Sequence, residues 1–251
     1  MIEFIKVSKA FPGHVALDST SFRVEKGTSC GYIGPNGAGK TTTAKIIVGL
    51  EKADSGTVKV LEKDAAIERN DIQKLVGYVP ESPKLYESLT PTETIAMAAL
   101  LRKFDKKAAI DKLQVLSEIF LFKDFLKKPL QNLSKGTKQK VVMSLALLFN
   151  PEILILDEPT DGLDVQAVVS LKQLIKSFTT RGGTVFYCSH LLDIVESVCD
   201  RVYFINKGKI AGEYTKDDFA DKRGFLENAF IENVGTQNEQ RLINAFFENA
   251  H

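Results

Sequence analysis

The chain has 251 residues, enough for one large domain or one domain carrying an inserted lobe, and its 44% hydrophobic content supplies a sizeable core. With 33 Lys and Arg against 32 Asp and Glu the net charge is +1, so no global field selects nucleic acid as a partner. No apolar run approaches the roughly 18 residues of a membrane-spanning helix, and the opening stretch MIEFIKVSKAF alternates like a strand and lacks a signal-peptide core.

Met1 to Ala10 and Ala16 to Val24 alternate apolar and polar residues and are predicted strands. The Glu25-Lys26-Gly27 turn leads into a buried strand, Thr28 to Ile33, and then a glycine-rich run. Thr42 to Leu50 carries apolar residues at helical spacing. Gly56 to Leu61 and Val76 to Val79 are short strands, the second ended by Pro80. From about Thr90 to Asn132 the pattern is helical, with Thr90-Pro91 as a start signal. Ser134 opens a further helix to Asn150, so an inserted helical lobe covers about residues 90–150. Ile153 to Leu156 is a buried strand, Val165 to Phe178 a helix, Thr184 to Ser189 a strand and Leu191 to Val198 a helix. Arg201 to Tyr214 reads as a hairpin around Asn206-Lys207-Gly208. Alternating strands and helices predict an α/β fold with a mostly parallel sheet flanked by helices.

The expected division is a main domain over 1–220 and a helical tail over 221–251. In the tail Phe225, Leu226, Ala229 and Phe230 share one helical face and Leu242, Ile243, Phe246 and Phe247 another. Packing back onto the domain is the expected fate of both faces. Cys30, Cys188 and Cys199 are odd in number and lack metal spacing, as reduced core thiols of a cytosolic protein would. Residues 102–128 hold eight Lys/Arg and four Asp/Glu, which reads as solvated helix faces.

Residues 34 to 42, Gly34-Pro35-Asn36-Gly37-Ala38-Gly39-Lys40-Thr41-Thr42, fit the phosphate-loop pattern G-x-x-x-x-G-K-[ST] in its required strand–loop–helix setting. Glycines let backbone N–H groups turn toward phosphate oxygens, and the helix that follows presents its positive dipole end to the same anion. Lys40 can reach the β- and γ-phosphates and the Thr41 hydroxyl can ligate Mg²⁺. Downstream, the strand Ile153 to Leu156 ends in Asp157-Glu158, two carboxylates at the carboxyl edge of a sheet. Asp157 suits a Mg²⁺ site, and Glu158 suits the activation of an attacking water. Ser134 has the character of an N-cap, and Gly136 allows close backbone approach to a ligand.

Taken in order, these motifs resemble the nucleotide-binding subunit of an ATP-binding cassette (ABC) transporter, over about residues 1 to 215. The resemblance implies a P-loop NTPase core with an antiparallel N-terminal β-subdomain and the inserted helical lobe. Asp157-Glu158-Pro159-Thr160 followed by Gly162-Leu163-Asp164 is similar to the family's Asp-Glu motif and D-loop. Ser189-His190 resembles its switch histidine, and Phe11 the aromatic that stacks on adenine. Leu133-Ser134-Lys135-Gly136-Thr137 departs from L-S-G-G-Q, with Lys135 for the first glycine and Thr137 for glutamine. Glu81 stands where the family has the glutamine that approaches Mg²⁺. By this resemblance the chain binds and hydrolyses ATP with Mg²⁺ and dimerises head to tail with a second copy or related cassette. Ser134 and Gly136 then face the partner's γ-phosphate; Lys135, standing where the family has glycine, is expected to add a cation there. A separate permease docks near Glu81, Leu85 and Tyr86, on the cytoplasmic face of the membrane. The run Pro83 to Thr90 is similar to members paired with export-type permeases. Two alternatives stay open: a non-transport ABC ATPase, for example of the iron–sulfur assembly type, and an ATP-sensing module with little turnover.

Overall fold

The computed structural model describes residues 1–220, 222 and 224–235. Its strands are β1 Ile2–Phe11, β2 His14–Val24, β3 Ser29–Ile33, β4 Ser55–Val60, β5 Lys63–Asp64, β6 Val76–Val79, β7 Ile153–Asp157, β8 Thr184–Ser189, β9 Arg201–Asn206 and β10 Lys209–Thr215. Its α-helices are α1 Lys40–Ile47, α2 Arg69–Leu75, α3 Pro91–Leu101, α4 Lys106–Ile119, α5 Lys135–Leu148, α6 Val165–Thr180, α7 Leu192–Val198, α8 Lys216–Phe219 and α9 Phe225–Phe230.

Two sheets form. A six-stranded sheet runs β10-β9-β3-β8-β7-β6, parallel except for the edge strand β10. Its inner strands β3, β7 and β8 are buried at every position, as a sheet covered on both faces demands. An antiparallel sheet, β2-β1-β4-β5, accounts for the alternating pattern of the N-terminus. The expected α/β architecture is therefore present.

One core lies between the two sheets around α1, where the Phe22 ring meets those of Phe4, Tyr32 and Phe186, and Tyr32 meets Phe186. A second lies on the opposite face and extends into the helices of 91–148, through Ile95, Leu113, Phe120 and Val141. The start of α3 follows its local chemistry. Thr90 and Glu93 form a reciprocal capping box, with Pro91 in the first turn.

Several boundaries differ from the sequence reading. The first helix begins at Lys40 rather than Thr42, so the phosphate-loop lysine and threonine belong to its first turn. It also stops at Ile47, before Gly49 at φ 69°. The helical stretch 90–132 divides into α3, α4 and two short 3₁₀ turns, Lys123–Phe125 and Leu130–Asn132. Strand β5 and helix α2 had no strong signal, since α2 buries only Ile72 and β5 is two residues long. In the tail, α9 buries Leu226 and Ala229, and Phe230 meets Phe204 edge-on. Leu242, Ile243, Phe246 and Phe247 lie outside the described residues. Cys30, Cys188 and Cys199 are buried and unbridged, and burial pushes all three thiols upward.

Candidate functional site

Parallel order places three strand ends side by side. The phosphate loop leaves β3, His190 follows β8, and Asp157-Glu158 ends β7, with β8 between β3 and β7. Register is tight: Ile33 pairs with Ser189 and Asp157 with Cys188. A cavity of about 320 Å³ opens there, lined by Asn36, Gly37, Gly39, Lys40, Thr41 and Thr42 with Glu81, Glu158, Asp161 and His190. His14 and Ala16 of β2 complete its wall.

Gly39 shows why the loop needs glycine. Its φ is 113°, and a Cβ there would lie 2.4 Å from the Ala16 carbonyl oxygen. The first turn of α1 leaves backbone N–H groups without intrahelical partners at this point. Gly34, Pro35 and Ala38 shape the loop from behind. Lys40 Nζ donates to the Gly34 and Pro35 carbonyls at 2.8 and 3.3 Å, and Gly208 N–H donates to Ala38 O.

Glu158 is the hub of the acidic side. One carboxylate oxygen lies 3.5 Å from Lys40 Nζ, and the other lies 3.0 Å from His190 Nδ1 and 3.3 Å from Ser189 Oγ. Its backbone sits at φ 48°, a region that costs a non-glycine residue about 1–3 kcal/mol, and its N–H is held by Cys188 O at 3.0 Å. The side chain thus leaves the strand end toward the cavity. Asp157 is fully buried, and neither of its carboxylate oxygens has a hydrogen-bond partner among the described residues. Burial pushes its carboxyl up to about 6; the nearby Thr41 hydroxyl opposes this, and the Glu81 and Glu158 carboxylates add to it. Thr41 Oγ1 is 3.5 Å from Glu81 Oε2.

Phe11 is 40% exposed at the tip of the β1–β2 hairpin, under Lys9 at 5.2 Å, and pairs in register with His14. It does not line the cavity, whereas His14 does. A lone histidine at the start of a strand carries no sequence signal, and only the packing of the hairpin against Gly39 brings it there.

Ser134 caps α5 by accepting from Thr137 N–H, and its hydroxyl lies 2.9 Å from that of Thr137. None of residues 134–137 lines the chain's own cavity. They pack instead along the loop 158–164. Lys135 pairs with Asp161, Gln139 Nε2 donates to Pro159 O, and buried Lys140 meets Asp164 at 2.6 Å. Asp164 also caps α6 and, with Lys140 beside it, is held below the usual carboxylate range. A Cβ on Gly136 would stand 2.2 Å from Gly162 O, so this glycine is demanded first by packing inside the chain. Sequence reasoning assigned Gly136 to phosphate alone and missed that contact.

The family model described as ABC transporter matches residues 17–161. This chain belongs to the ABC transporter family. The bacitracin transport ATP-binding protein BcrA of Bacillus licheniformis is 34% identical to the cassette over 229 residues, covering 90% of this chain and 74% of that protein. A solved ATP-binding subunit of an ABC transporter matches the cassette with TM-score 0.83 at 29% identity, covering 92% of this chain and 98% of that one. A bacterial ABC transporter cassette solved as a dimer matches with TM-score 0.77 at 25% identity, covering 86% and 99%. The cassette is an ATP-binding and ATP-hydrolysing transporter subunit. No helix among the described residues is long and apolar enough to cross a membrane.

Proposed function

We propose that two copies of this cassette close head to tail over two ATP molecules and drive a separate permease from the cytoplasmic face of the membrane. The observation that carries this reading is the placement of two half-sites. Phosphate loop, Glu158 and His190 share one cavity, while the signature turn Ser134–Thr137 lies outside it. A second chain must therefore supply a signature turn to complete each site. Assembly on demand suits phosphoryl transfer, which depends on positioning and charge stabilisation more than on covalent chemistry.

Within the site, Glu158 orients and deprotonates the attacking water, its carboxylate held between Lys40, Ser189 and His190. Lys40, now folded onto its own loop carbonyls, exchanges those partners for phosphate oxygens. His190, 59% exposed and tied to Glu158 by one hydrogen bond, is free to turn toward the γ-phosphate. Phe11 at the hairpin tip stacks on adenine.

The oxygens of Asp157, without a hydrogen-bond partner among the described residues and close to Thr41 and Glu81, fit a Mg²⁺ site of the kind completed by substrate phosphates and water. When bound, Mg²⁺ neutralises charge on the β- and γ-phosphates.

The permease docks around Glu81, Leu85 and Tyr86. Tyr86 is 68% exposed, whereas Leu85 packs partly into the core and so anchors the segment from below. Beside this region, a groove of about 350 Å³ runs between the core and the helical lobe, lined by Leu50, Tyr78, Arg102 and Phe149. Its apolar floor and cationic rim suit a short amphipathic helix. Purification of the tagged chain from detergent-solubilised membranes tests the whole reading. A co-purifying integral-membrane protein and Mg²⁺-dependent ATP hydrolysis by the complex are expected. Recovery of the chain with soluble partners only would overturn the transport assignment.

A further inference from the structure

Three acidic residues line the nucleotide cavity: Glu81, Glu158 and Asp161. Glu81 faces Thr41, and Glu158 is engaged by Lys40 and His190. Asp161 has no such task, and an uncompensated acid there opposes a polyphosphate. Its one charged partner among the described residues is Lys135, with Nζ 2.5 Å from Asp161 Oδ2. Lys135 stands outside the cavity, on the first turn of α5, with its stem lying along Gly162.

Resting on the reading of this cavity as the ATP site, we propose that Lys135 is a positioning residue for its own chain's nucleotide, acting by neutralising and holding Asp161. The lysine in the signature turn and the aspartate in the loop after Glu158 are a matched pair. Either one alone would leave a misplaced charge, Asp161 beside the phosphates or Lys135 free on the dimer-facing turn. Both side chains are more than half exposed, so the pair adds little to folding stability, and its effect is on the potential in the cavity.

Titration of the full chain with Mg²⁺-ATP at low and high salt tests this. Lys135→Ala is expected to weaken ATP binding by about 3- to 10-fold at low salt, the order for one unit charge acting on a polyphosphate through a largely aqueous path. At high salt the difference should nearly vanish. The unfolding midpoint should stay at the wild-type value. Lys135→Arg should keep full affinity, and adding Asp161→Asn to Lys135→Ala should restore it. Unchanged affinity in Lys135→Ala, or a double variant as weak as the single one, would overturn the pairing. Loss of dimer-dependent turnover without any change in ATP affinity would overturn it too, because Lys135 would then act on the partner's nucleotide. A wild-type chain that binds no ATP would instead remove the reading of the cavity itself.

Discussion

Gly136→Ala separates packing from phosphate contact at the signature turn. The added Cβ would stand 2.2 Å from Gly162 O, against about 3.4 Å for an ordinary contact, so the turn and the loop must part by about 1.2 Å. The obstacle is a backbone carbonyl on a loop also held by Lys135, Gln139 and Lys140, and no flexible side-chain end can swing away. Overpacking of this kind costs about 1–3 kcal/mol. The helix-propensity gain of alanine over glycine, up to about 1 kcal/mol in a helix interior, is smaller in a first turn and offsets only part of it. A net loss of about 1–2 kcal/mol follows, which at an m-value of about 3 kcal/mol/M lowers the urea midpoint by roughly 0.3–0.7 M. Function should fall further than stability. A shift of about 1 Å in positioned groups can cost about 10²-fold in rate, and this shift moves Ser134 and the Glu158–Asp164 loop together. Urea denaturation of the isolated chain, ATP titration and ATPase assay of the assembled complex give the three readouts. Lower midpoint, near-normal ATP affinity and severely reduced turnover are expected. A midpoint equal to or above wild type would refute the packing argument.

Three further outcomes are expected. Glu158→Gln should reduce phosphate release by about 10²–10⁴-fold and leave an ATP-bound dimer visible by size-exclusion chromatography, since binding groups remain while the base is lost. Turnover equal to wild type in the purified complex would remove Glu158 from its role. Tyr86→Ala should weaken permease capture by about 2 kcal/mol, as loss of an exposed aromatic anchor does, without altering ATP titration; Leu85→Ala should lower the unfolding midpoint instead. Asp54 is held below the usual carboxylate range by the Ala10 N–H at 2.7 Å and by Lys9 at 3.1 Å. Because its folded value is depressed, its stabilisation is present above the ordinary carboxylate pKa and disappears as pH falls through the depressed one. Asp54→Asn should therefore lower the thermal midpoint at pH 7 and match wild type in strong acid; an equal deficit at both pH values would contradict this.

The chemistry at this site was legible in the sequence wherever one contiguous segment suffices. Gly34 to Thr42 forms its loop from local backbone requirements, and an apolar strand ending in Asp157-Glu158 announces carboxylates at a sheet edge whatever surrounds it. Capping at Thr90 and Ser134 is equally local. Short elements such as α2 and β5 bury too little to leave a periodic trace. Contacts between remote segments needed the fold itself. Strand order β3-β8-β7 brings Lys40, His190 and Glu158 within reach of one another, and nothing in their spacing along the chain encodes that order. The hairpin that delivers His14 and Ala16 belongs to the other sheet. Lys135 reads from sequence as a departure from a motif, and Asp161, 26 residues away, carries no signal of its own. Tertiary packing of α5 against the loop after β7 makes them one ion pair, because a helix turn and a loop can match charges only once both backbones are fixed.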